Sequence, residues 1–201
     1  MKSTKVYWTH NTAYHDWILS HAKGRKNILD VGCGDGLLIQ RLSKVCDSVT
    51  GIDPHVLCVL RAKRRISNIS NAIITHIGFE NFEAAAESFD AVIFVASLHH
   101  MDHEFGMQKA KALLISGGEL LIVGCVKPCG FTDWLIEIMR MAPAKIGSVL
   151  HGEKIGGDIG VPTYKPKVCI ADIRRLASRE LPNSVIRRGL YYRYLLRWVK
   201  P

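Results

Sequence analysis

Apolar runs alternate with segments of helical periodicity from residue 26 to residue 124 of this chain. Five apolar runs predict strands: Lys26–Val31, Ser48–Ile52, Ala72–Ile77, Phe89–Ala96 and Glu119–Gly124. The segments between them predict helices: Leu37–Cys46, Pro54–Arg65 and His103–Leu114. Such alternation is typical of a parallel sheet built from strand–helix–strand units. The fourth run is nearly all apolar, as expected for a central strand covered on both faces.

The pattern changes on either side of this region. A short helix is predicted over Thr12–Ala22, with Asn11 as its cap. Beyond the fifth strand, a helical stripe over Phe131–Met141 precedes a glycine-rich stretch, and a further helix is predicted over Val168–Glu180. Two closing strands, Ser184–Gly189 and Tyr191–Lys200, are predicted to form a hairpin that turns near Gly189. We therefore expect a single α/β domain over residues 1–201.

Composition excludes several classes of protein. The 201 residues are 48% hydrophobic, and the longest apolar stretch, 112–126, is interrupted by Gly117, Gly118 and Glu119. A membrane-spanning helix is therefore not expected, and the N-terminus lacks the apolar segment of a signal peptide. We expect a cytoplasmic protein without a membrane partner. Six scattered cysteines form no CxxC pair, so we expect free thiols, no disulfide framework and no metal.

The charge balance leaves the partner open. Lys and Arg number 27 against 18 Asp and Glu, which gives a net charge of +9. Nucleic acid, an anionic membrane and an acidic substrate are all compatible with this excess, and a solvated basic surface is the interpretation we favour.

One motif points to a specific ligand: Asn27-Ile-Leu-Asp-Val-Gly-Cys-Gly-Asp-Gly-Leu-Leu38. Gly32, Gly34 and Gly36 would let the main chain turn tightly and approach a ligand closely, and the following helix start offers unpaired N–H groups. Asp53 ends the second strand, where a carboxylate accepts both hydroxyls of a ribose. These features predict a nucleoside-containing ligand.

Two details argue against a dinucleotide. The spacing is Gly-x-Gly-x-Gly and not Gly-x-Gly-x-x-Gly, and Asp30 lies within the turn. A carboxylate there would repel a pyrophosphate and attract an ammonium or a sulfonium. S-adenosylmethionine (SAM) fits a ligand with a ribose, a positive centre and no phosphate, and a dehydrogenase is disfavoured.

The stretch Ile28–Gly36 resembles motif I of the class I SAM-dependent methyltransferases. Asp53 matches their ribose-binding acid, Ser88–Asp102 resembles their strand-four motif, and Gly117-Gly118 fits the start of their fifth strand. The resemblance covers nearly the whole chain. It implies a Rossmann-like doubly wound, seven-stranded, mostly parallel sheet with helices on both faces and an antiparallel last strand. The sequence Leu98-His99-His100 is most similar to the small-molecule, ubiquinone-biosynthesis-type branch.

The resemblance also implies which residues bind the cofactor. They are Asp30, Gly32, Cys33, Gly34, Gly36, Asp53, Pro54, Gly78, Phe79, Ser97 and Tyr14. One position departs from the family pattern, because Gly78 stands where an acid often binds the adenine amino group. We expect the Gly78 backbone and the Phe79 ring to hold adenine, with Glu80 as a substitute polar partner.

The residues that follow strand four would line the methyl-transfer site. His99 and His100 are the candidate catalytic residues, although neighbours in a regular element cannot both face one ligand. The alternative is that one histidine caps the next helix and the other packs. No defined spacing of histidines and carboxylates indicates a metal.

Two segments are candidates for covering the site. By analogy with the family, residues 1–25 form a helical lid in which Tyr14, with His10 or His15, closes over the methionine end of SAM. Residues 125–167 form a substrate cap, in which Phe131 and Trp134 favour an apolar or aromatic acceptor. Simple core packing is the alternative for both segments.

The predicted activity is transfer of the sulfonium methyl to an O, N, S or C nucleophile of a small molecule. RNA or protein methylation remains an alternative because Arg187–Trp198 interleaves basic and aromatic residues, as RNA-binding strands do. Against methylation of an RNA base, Ala96-Ser-Leu-His stands where an Asn/Asp-Pro-Pro-Tyr/Phe sequence would be expected. A non-catalytic SAM-binding module is the third hypothesis.

Overall fold

A computed structural model describes residues 8–131, 133–135 and 166–201. The strands are β1 (Asn27–Val31), β2 (Ser48–Asp53), β3 (Ala72–His76), β4 (Phe89–Val95), β5 (Leu114–Cys125), β6 (Val185–Arg188) and β7 (Arg193–Val199). The helices are α1 (His15–Ala22), α2 (Leu37–Leu42), α3 (Val56–Arg65), α4 (His103–Leu113) and α5 (Ile170–Glu180). Short 3₁₀ turns cover Thr12–Tyr14, Phe79–Asn81 and Leu98–His100.

All seven strands belong to one sheet, in the order β3-β2-β1-β4-β5-β7-β6. Strands β1 to β5 pair in parallel, and β7 runs antiparallel to both β5 and β6. The predicted fold is confirmed. The strand order reverses between β1 and β4, and ligands of such sheets bind outside the carboxyl ends of the strands at this point.

The core lies on both faces of the sheet. Alternate residues of β4 explain this: Val92 and Phe94 pack with α4 and α5, whereas Ala91 and Ile93 pack with α1, α2 and α3. All four β4 side chains are completely buried. The strand therefore needs apolar residues at every position, which is why its sequence does not alternate.

Several element boundaries differ from the predicted ones. Helix α2 ends at Leu42 and not at Cys46, because the Asn71 side-chain amide donates to the carbonyls of Ser43 and Cys46 at 2.9 and 3.1 Å. Helix α3 begins at Val56, so Pro54 lies before the helix, where the Asp53 carboxylate accepts from the His55 N–H. Both differences arise from side-chain hydrogen bonds that compete with the helical pattern.

The N-terminal cap is also different. Asn11 makes no capping hydrogen bond, and its Oδ1 instead accepts from the Arg193 guanidinium at 2.8 Å. The predicted stripe Phe131–Met141 and the glycine-rich stretch 152–166 lie largely outside the described residues. Among the residues that are described, no helix has the length and apolar character needed to span a bilayer.

Candidate functional site

The glycine turn joins the carboxyl end of β1 to α2. Gly32 and Gly34 have φ angles of +75° and +57°, in the left-handed region that side chains disfavour. A Cβ on Gly32 would lie 2.5 Å from the Cβ of Ser97, so the β4 end closes against the turn there. A Cβ on Gly34 would meet nothing within 4 Å, so the main chain borders open space at this position.

Asp53, at the end of β2, is hydrogen-bonded to the glycine turn. Its Oδ2 accepts from the Gly34 N–H at 2.9 Å, and its Oδ1 accepts from the His55 N–H at 2.8 Å. The N–H groups of Gly32 and Cys33 donate to the Ile52 carbonyl at 2.8 and 3.0 Å. The turn after β1 is thus held against the end of β2, with the Asp53 carboxylate beside the open space at Gly34.

Asp30 is a second buried carboxylate, and it lies in β1 just before the glycine turn and not within it as the sequence suggests. Its side chain is 2% exposed, and its Oδ2 has no hydrogen-bond partner within the described ranges. Burial, and secondarily the negative charge of Asp53, raises the pKa of Asp30 to about 7. A buried carboxylate oxygen of this kind fits a cationic donor, because a bound positive charge would relieve both effects.

The outer part of the turn is fixed by a contact that the sequence does not indicate. Arg65 Nη2 lies 2.6 Å from Asp35 Oδ2, and Arg65 Nε donates to the Asp35 carbonyl at 2.9 Å. Arg65 belongs to a run of basic residues on α3, and nothing in that run distinguishes it from its exposed neighbours. Arg65 can pair with Asp35 because α3 packs beside α2. The local sequence does not indicate this packing.

Ser97 closes the crevice between β1 and β4. Its Oγ donates to the Val31 carbonyl at 2.5 Å, and its side chain is 8% exposed. The preceding residue, Ala96, has a φ of +52°, an uncommon conformation for a residue with a side chain. No sequence feature indicates the positive φ of Ala96, which turns the chain from the end of β4 into the following 3₁₀ turn.

His99 and His100 lie in that 3₁₀ turn, with ring centroids 4.2 Å apart and planes tilted by 40°. The His100 ring is hydrogen-bonded to the Ala96 backbone. Burial, together with the nearby His55, lowers the pKa of His100, while Asp53 acts in the opposite direction. His100 therefore lies on the Asp53 side of the crevice. His99 is half-buried, with its Nδ1 shielded from solvent.

The predicted adenine side is only partly as expected. Gly78 and the exposed Pro54 lie at the ligand edge, and Glu80 Oε2 lies 3.0 Å from where a Gly78 Cβ would be. The Phe79 ring, however, is 2% exposed and packs edge-on against Phe94 at 5.4 Å. The Phe79 ring belongs to the hydrophobic core, which corrects the expectation that it stacks on adenine.

Cys33 also points away from the turn. Its side chain is 8% exposed and its Sγ lies 3.0 Å from where a Gly51 Cβ would be. Burial raises the pKa of the Cys33 thiol well above its usual range. The side chain is a core residue, so only the Cys33 main chain borders the turn.

The N-terminal segment reaches the ligand edge through the loop between β6 and β7. The Tyr14 hydroxyl donates to the Leu190 carbonyl at 2.8 Å, and the His10 ring stacks on Tyr191 at 3.9 Å. Strand β7 begins at Arg193, opposite Cys125 at the carboxyl end of β5. The structure therefore brings Tyr14 and His10 to the expected edge of the sheet.

The remaining predicted residues of the lid and the cap are His15, Phe131 and Trp134. His15 is 4% exposed, and burial lowers its pKa to about 4, with a further contribution from Arg41 of α2. Its Nδ1 has no hydrogen-bond partner among the described residues, and Asp35 of the glycine turn is one of the charges that act on it. The role of His15 stays a prediction. Phe131 and Trp134 are 83% and 55% exposed, and Asp133 between them pairs with Arg188 of β6.

Within the residues that the structure describes, no group of three or more His, Cys, Asp or Glu side chains is placed to hold a metal ion. All six cysteines are free thiols, and Cys129 alone among them is exposed.

Comparison with known sequences places this chain among methyltransferases. A family profile described as "Methyltransferase domain" matches residues 28–118, which include the glycine turn and strand four. An uncharacterized methyltransferase of Mycobacterium tuberculosis is 31% identical over 185 residues, covering 89% of each chain. A tRNA U34 carboxymethyltransferase of Pseudomonas fluorescens is 36% identical over 104 residues, covering 48% of this chain and 32% of that protein.

Solved structures share the fold at low sequence identity. The N-methyltransferase NodS of Bradyrhizobium japonicum, in complex with S-adenosylhomocysteine, has a TM-score of 0.64 at 16% identity and covers 96% of this chain and 89% of its own. The magnesium protoporphyrin IX methyltransferase of Synechocystis, also with S-adenosylhomocysteine, has a TM-score of 0.61 at 18% identity and covers 95% and 81%.

Proposed function

Because the chain belongs to the class I SAM-dependent methyltransferases, we propose that it transfers the methyl group of SAM to a nucleophile of a small molecule. SAM supplies an electrophilic methyl on an already charged leaving group. The protein's own task is then to bind the cofactor, exclude water and orient the acceptor for in-line displacement.

The observation that carries the proposal is the pair of buried carboxylates around an open glycine turn. Asp53 lies beside the Gly34 main chain, where it can accept the ribose hydroxyls. Asp30 offers a buried oxygen that suits the positive end of the cofactor. A dinucleotide would instead bring a pyrophosphate against two carboxylates, and the Coulomb repulsion would oppose binding.

His99 is the residue that we assign to the acceptor. The His100 ring is hydrogen-bonded to the Ala96 backbone and lies towards Asp53, so it supports the cofactor side of the crevice. His99 follows strand four at the carboxyl edge of the sheet. It would take the proton of an acceptor whose nucleophile must be deprotonated early.

Two segments would enclose the acceptor. Residues 1–25 would act as a lid, and two of its described residues support this, since Tyr14 contacts the Leu190 carbonyl and His10 contacts Tyr191 at the ligand edge. Residues 125–167 act as a cap, whose first residues include the exposed Phe131 and Trp134. Exposed aromatic rings in this segment favour an apolar or aromatic acceptor over a sugar or an amino acid.

The sequence after strand four supports a proposal for the acceptor class. Leu98-His99-His100 is most similar to the ubiquinone-biosynthesis-type branch, which favours a phenol-like or quinol-like small molecule. The second candidate acceptor is tRNA, favoured by the 104-residue similarity to tRNA U34 carboxymethyltransferases and by the net charge of +9.

The test is formation of S-adenosylhomocysteine from SAM with phenols, quinols, amines, thiols and tRNA offered separately. We expect turnover with a phenol or quinol, and its loss in Asp53→Asn. Asp47→Asn, an exposed acid just before β2, is the matched control and should retain activity. Methylation of tRNA alone would replace the small-molecule assignment, and SAM binding without turnover on any acceptor would refute catalysis.

A further inference from the structure

The outer face of α3 exposes aliphatic side chains to solvent. Val56, Leu57 and Leu60 are 52%, 61% and 47% exposed. Their spacing places them on one side of the helix. The opposite side is buried against the sheet through Cys58, Val59 and Ala62. Single exposed leucines are ordinary, but three neighbouring aliphatic residues on one helix face form a contiguous apolar patch.

The same face is positively charged. Arg61, Lys63 and Arg64 are exposed on the outer side, whereas Arg65 is turned inward and paired with Asp35. The chain contains no Asp or Glu between Pro54 and Phe79. The apolar patch is therefore bordered by exposed basic side chains of the same helix.

The position of α3 makes this face accessible at one end of the molecule. The helix follows Asp53 closely and packs against β3, one of the two edge strands of the sheet. The three aliphatic residues occupy the first turns of the helix, nearest the carboxyl edge of the sheet. The face consists of one ten-residue helix.

We propose that the outer face of α3 docks the protein on an anionic lipid bilayer. Cations beside aliphatic side chains match a surface with negative headgroups above an apolar interior. RNA would favour aromatic side chains for stacking, and none lies on this face. A second copy would oppose like charges, and a stable protein interface needs about 800 Å² per partner, more than one short helix face offers.

This docking is compatible with the lack of a membrane-spanning helix among the described residues, because a surface helix needs no spanning segment. It does change the sequence-based expectation of no membrane partner, which rests on spanning segments alone. The inference does not depend on which acceptor the enzyme uses.

The test is flotation of the full chain with phosphatidylcholine vesicles that contain or lack phosphatidylserine. We expect binding only with phosphatidylserine. Leu57→Ser with Leu60→Ser should lower the partition coefficient at least about tenfold, because the apolar contact is removed. Lys63→Gln with Arg64→Gln should lower the partition coefficient about fivefold for each cation that is removed.

Matched controls separate this face from general surface charge. Arg174→Gln with Arg175→Gln removes two exposed cations from α5, and Val185→Ser removes an exposed aliphatic residue from β6. Both should float like the wild type, and every variant should keep its melting temperature and SAM affinity. Equal flotation of the leucine variant and the wild type would refute the proposal. Binding of tRNA, or concentration-dependent dimerisation, that disappears in the leucine variant would identify a different occupant and overturn it.

Discussion

The cofactor side and the acceptor side of the crevice are built in different ways. On the cofactor side, Asp30 and Asp53 come from the adjacent strands β1 and β2, and N–H groups of the turn of residues 32–36 donate to the Asp53 carboxylate and to the main chain of β2. On the acceptor side, contacts join segments far apart in sequence, such as Tyr14 and Leu190, which are separated by 176 positions.

This difference assigns separate tasks to the two sides. The ligand on the cofactor side is recognised by the shape of the backbone and by two carboxylates. Most substitutions there are therefore expected to weaken cofactor binding. The acceptor side depends on side chains placed by a turn, a hairpin loop and an N-terminal segment. Changing those side chains can therefore alter the acceptor while leaving the cofactor site intact.

The largest expected effect separates catalysis from cofactor binding. His99→Ala should lower kcat at least about 100-fold for an acceptor that must lose a proton, because a positioned base contributes that much. The Kd for SAM, measured by calorimetry, should stay within a factor of about two.

His100→Ala is the matched comparison at the neighbouring ring. Loss of its hydrogen bond to the Ala96 backbone should affect SAM affinity more than kcat. If His100→Ala lowered kcat strongly and His99→Ala did not, His100 and not His99 would be the residue that acts on the acceptor.

A smaller effect is expected when a methyl group is added to the cofactor side. In Gly34→Ala the new Cβ meets nothing within 4 Å in the free protein, so the variant should fold, but the methyl would occupy space bordering the ligand. We expect SAM affinity to fall about 10- to 100-fold, the range for inserting a methyl group into a packed contact.

Gly24→Ala is the control for backbone strain. Gly24 has a φ of +77° and open space where a Cβ would lie, but it precedes β1 at the opposite edge of the sheet. Both variants should lose a similar amount of stability in thermal melts. If Gly24→Ala weakened SAM binding as much as Gly34→Ala did, strain and not ligand contact would be the cause.

The cofactor side is largely predictable because its signals are local. The glycine spacing, the acid at the end of β2 and the all-apolar β4 each reside in a few consecutive residues. The exception is Phe79, whose ring is expected at adenine from the sequence and packs against Phe94 instead. Competition between a ligand and the core for one aromatic ring is decided by tertiary packing, which the local pattern does not contain.

The acceptor side is predictable only as a set of candidates. The bond between Asn11 and Arg193 spans 182 positions, and the loop that carries Tyr191, on which His10 stacks, has two consecutive tyrosines with positive φ. Neither periodicity nor a motif encodes such contacts. The role of His15 stays a prediction for the same reason, since the local pattern around a helical histidine is the same whether its face meets a ligand or a neighbouring helix.

The pH dependence of SAM affinity tests the electrostatic contribution of the cofactor side. The pKa of Asp30 is raised to about 7, so the carboxylate must lose a proton before it can hold a cation. SAM affinity should therefore rise about tenfold between pH 6 and pH 8, and Asp30→Asn should abolish this dependence while weakening binding.

The raised pKa of Asp30 also predicts that the stability of the free protein falls as pH rises. Since the folded-state pKa lies above the unfolded value, Asp30 costs the free protein stability as pH rises from about 4 through about 7. Asp30→Asn should thus melt at a higher temperature than the wild type at pH 8, and close to it at pH 4. A pH-independent SAM affinity in the wild type would exclude Asp30 as the group that meets the positive charge.

The smallest effect is expected on the acceptor side, at Tyr14. Tyr14→Phe removes one partly buried hydrogen bond to the Leu190 carbonyl, worth about 1 kcal/mol, and should lower the melting temperature slightly. If residues 1–25 form a lid, weaker attachment to the hairpin loop should also raise the Kd for SAM and lower kcat by about fivefold. Tyr192→Phe, an exposed ring in the same loop, should change neither quantity. A Tyr14→Phe protein that melts earlier but binds and turns over SAM like the wild type would show that this hydroxyl stabilises the fold without closing the site. The acceptor side would then be defined by His99 and the segment after β5.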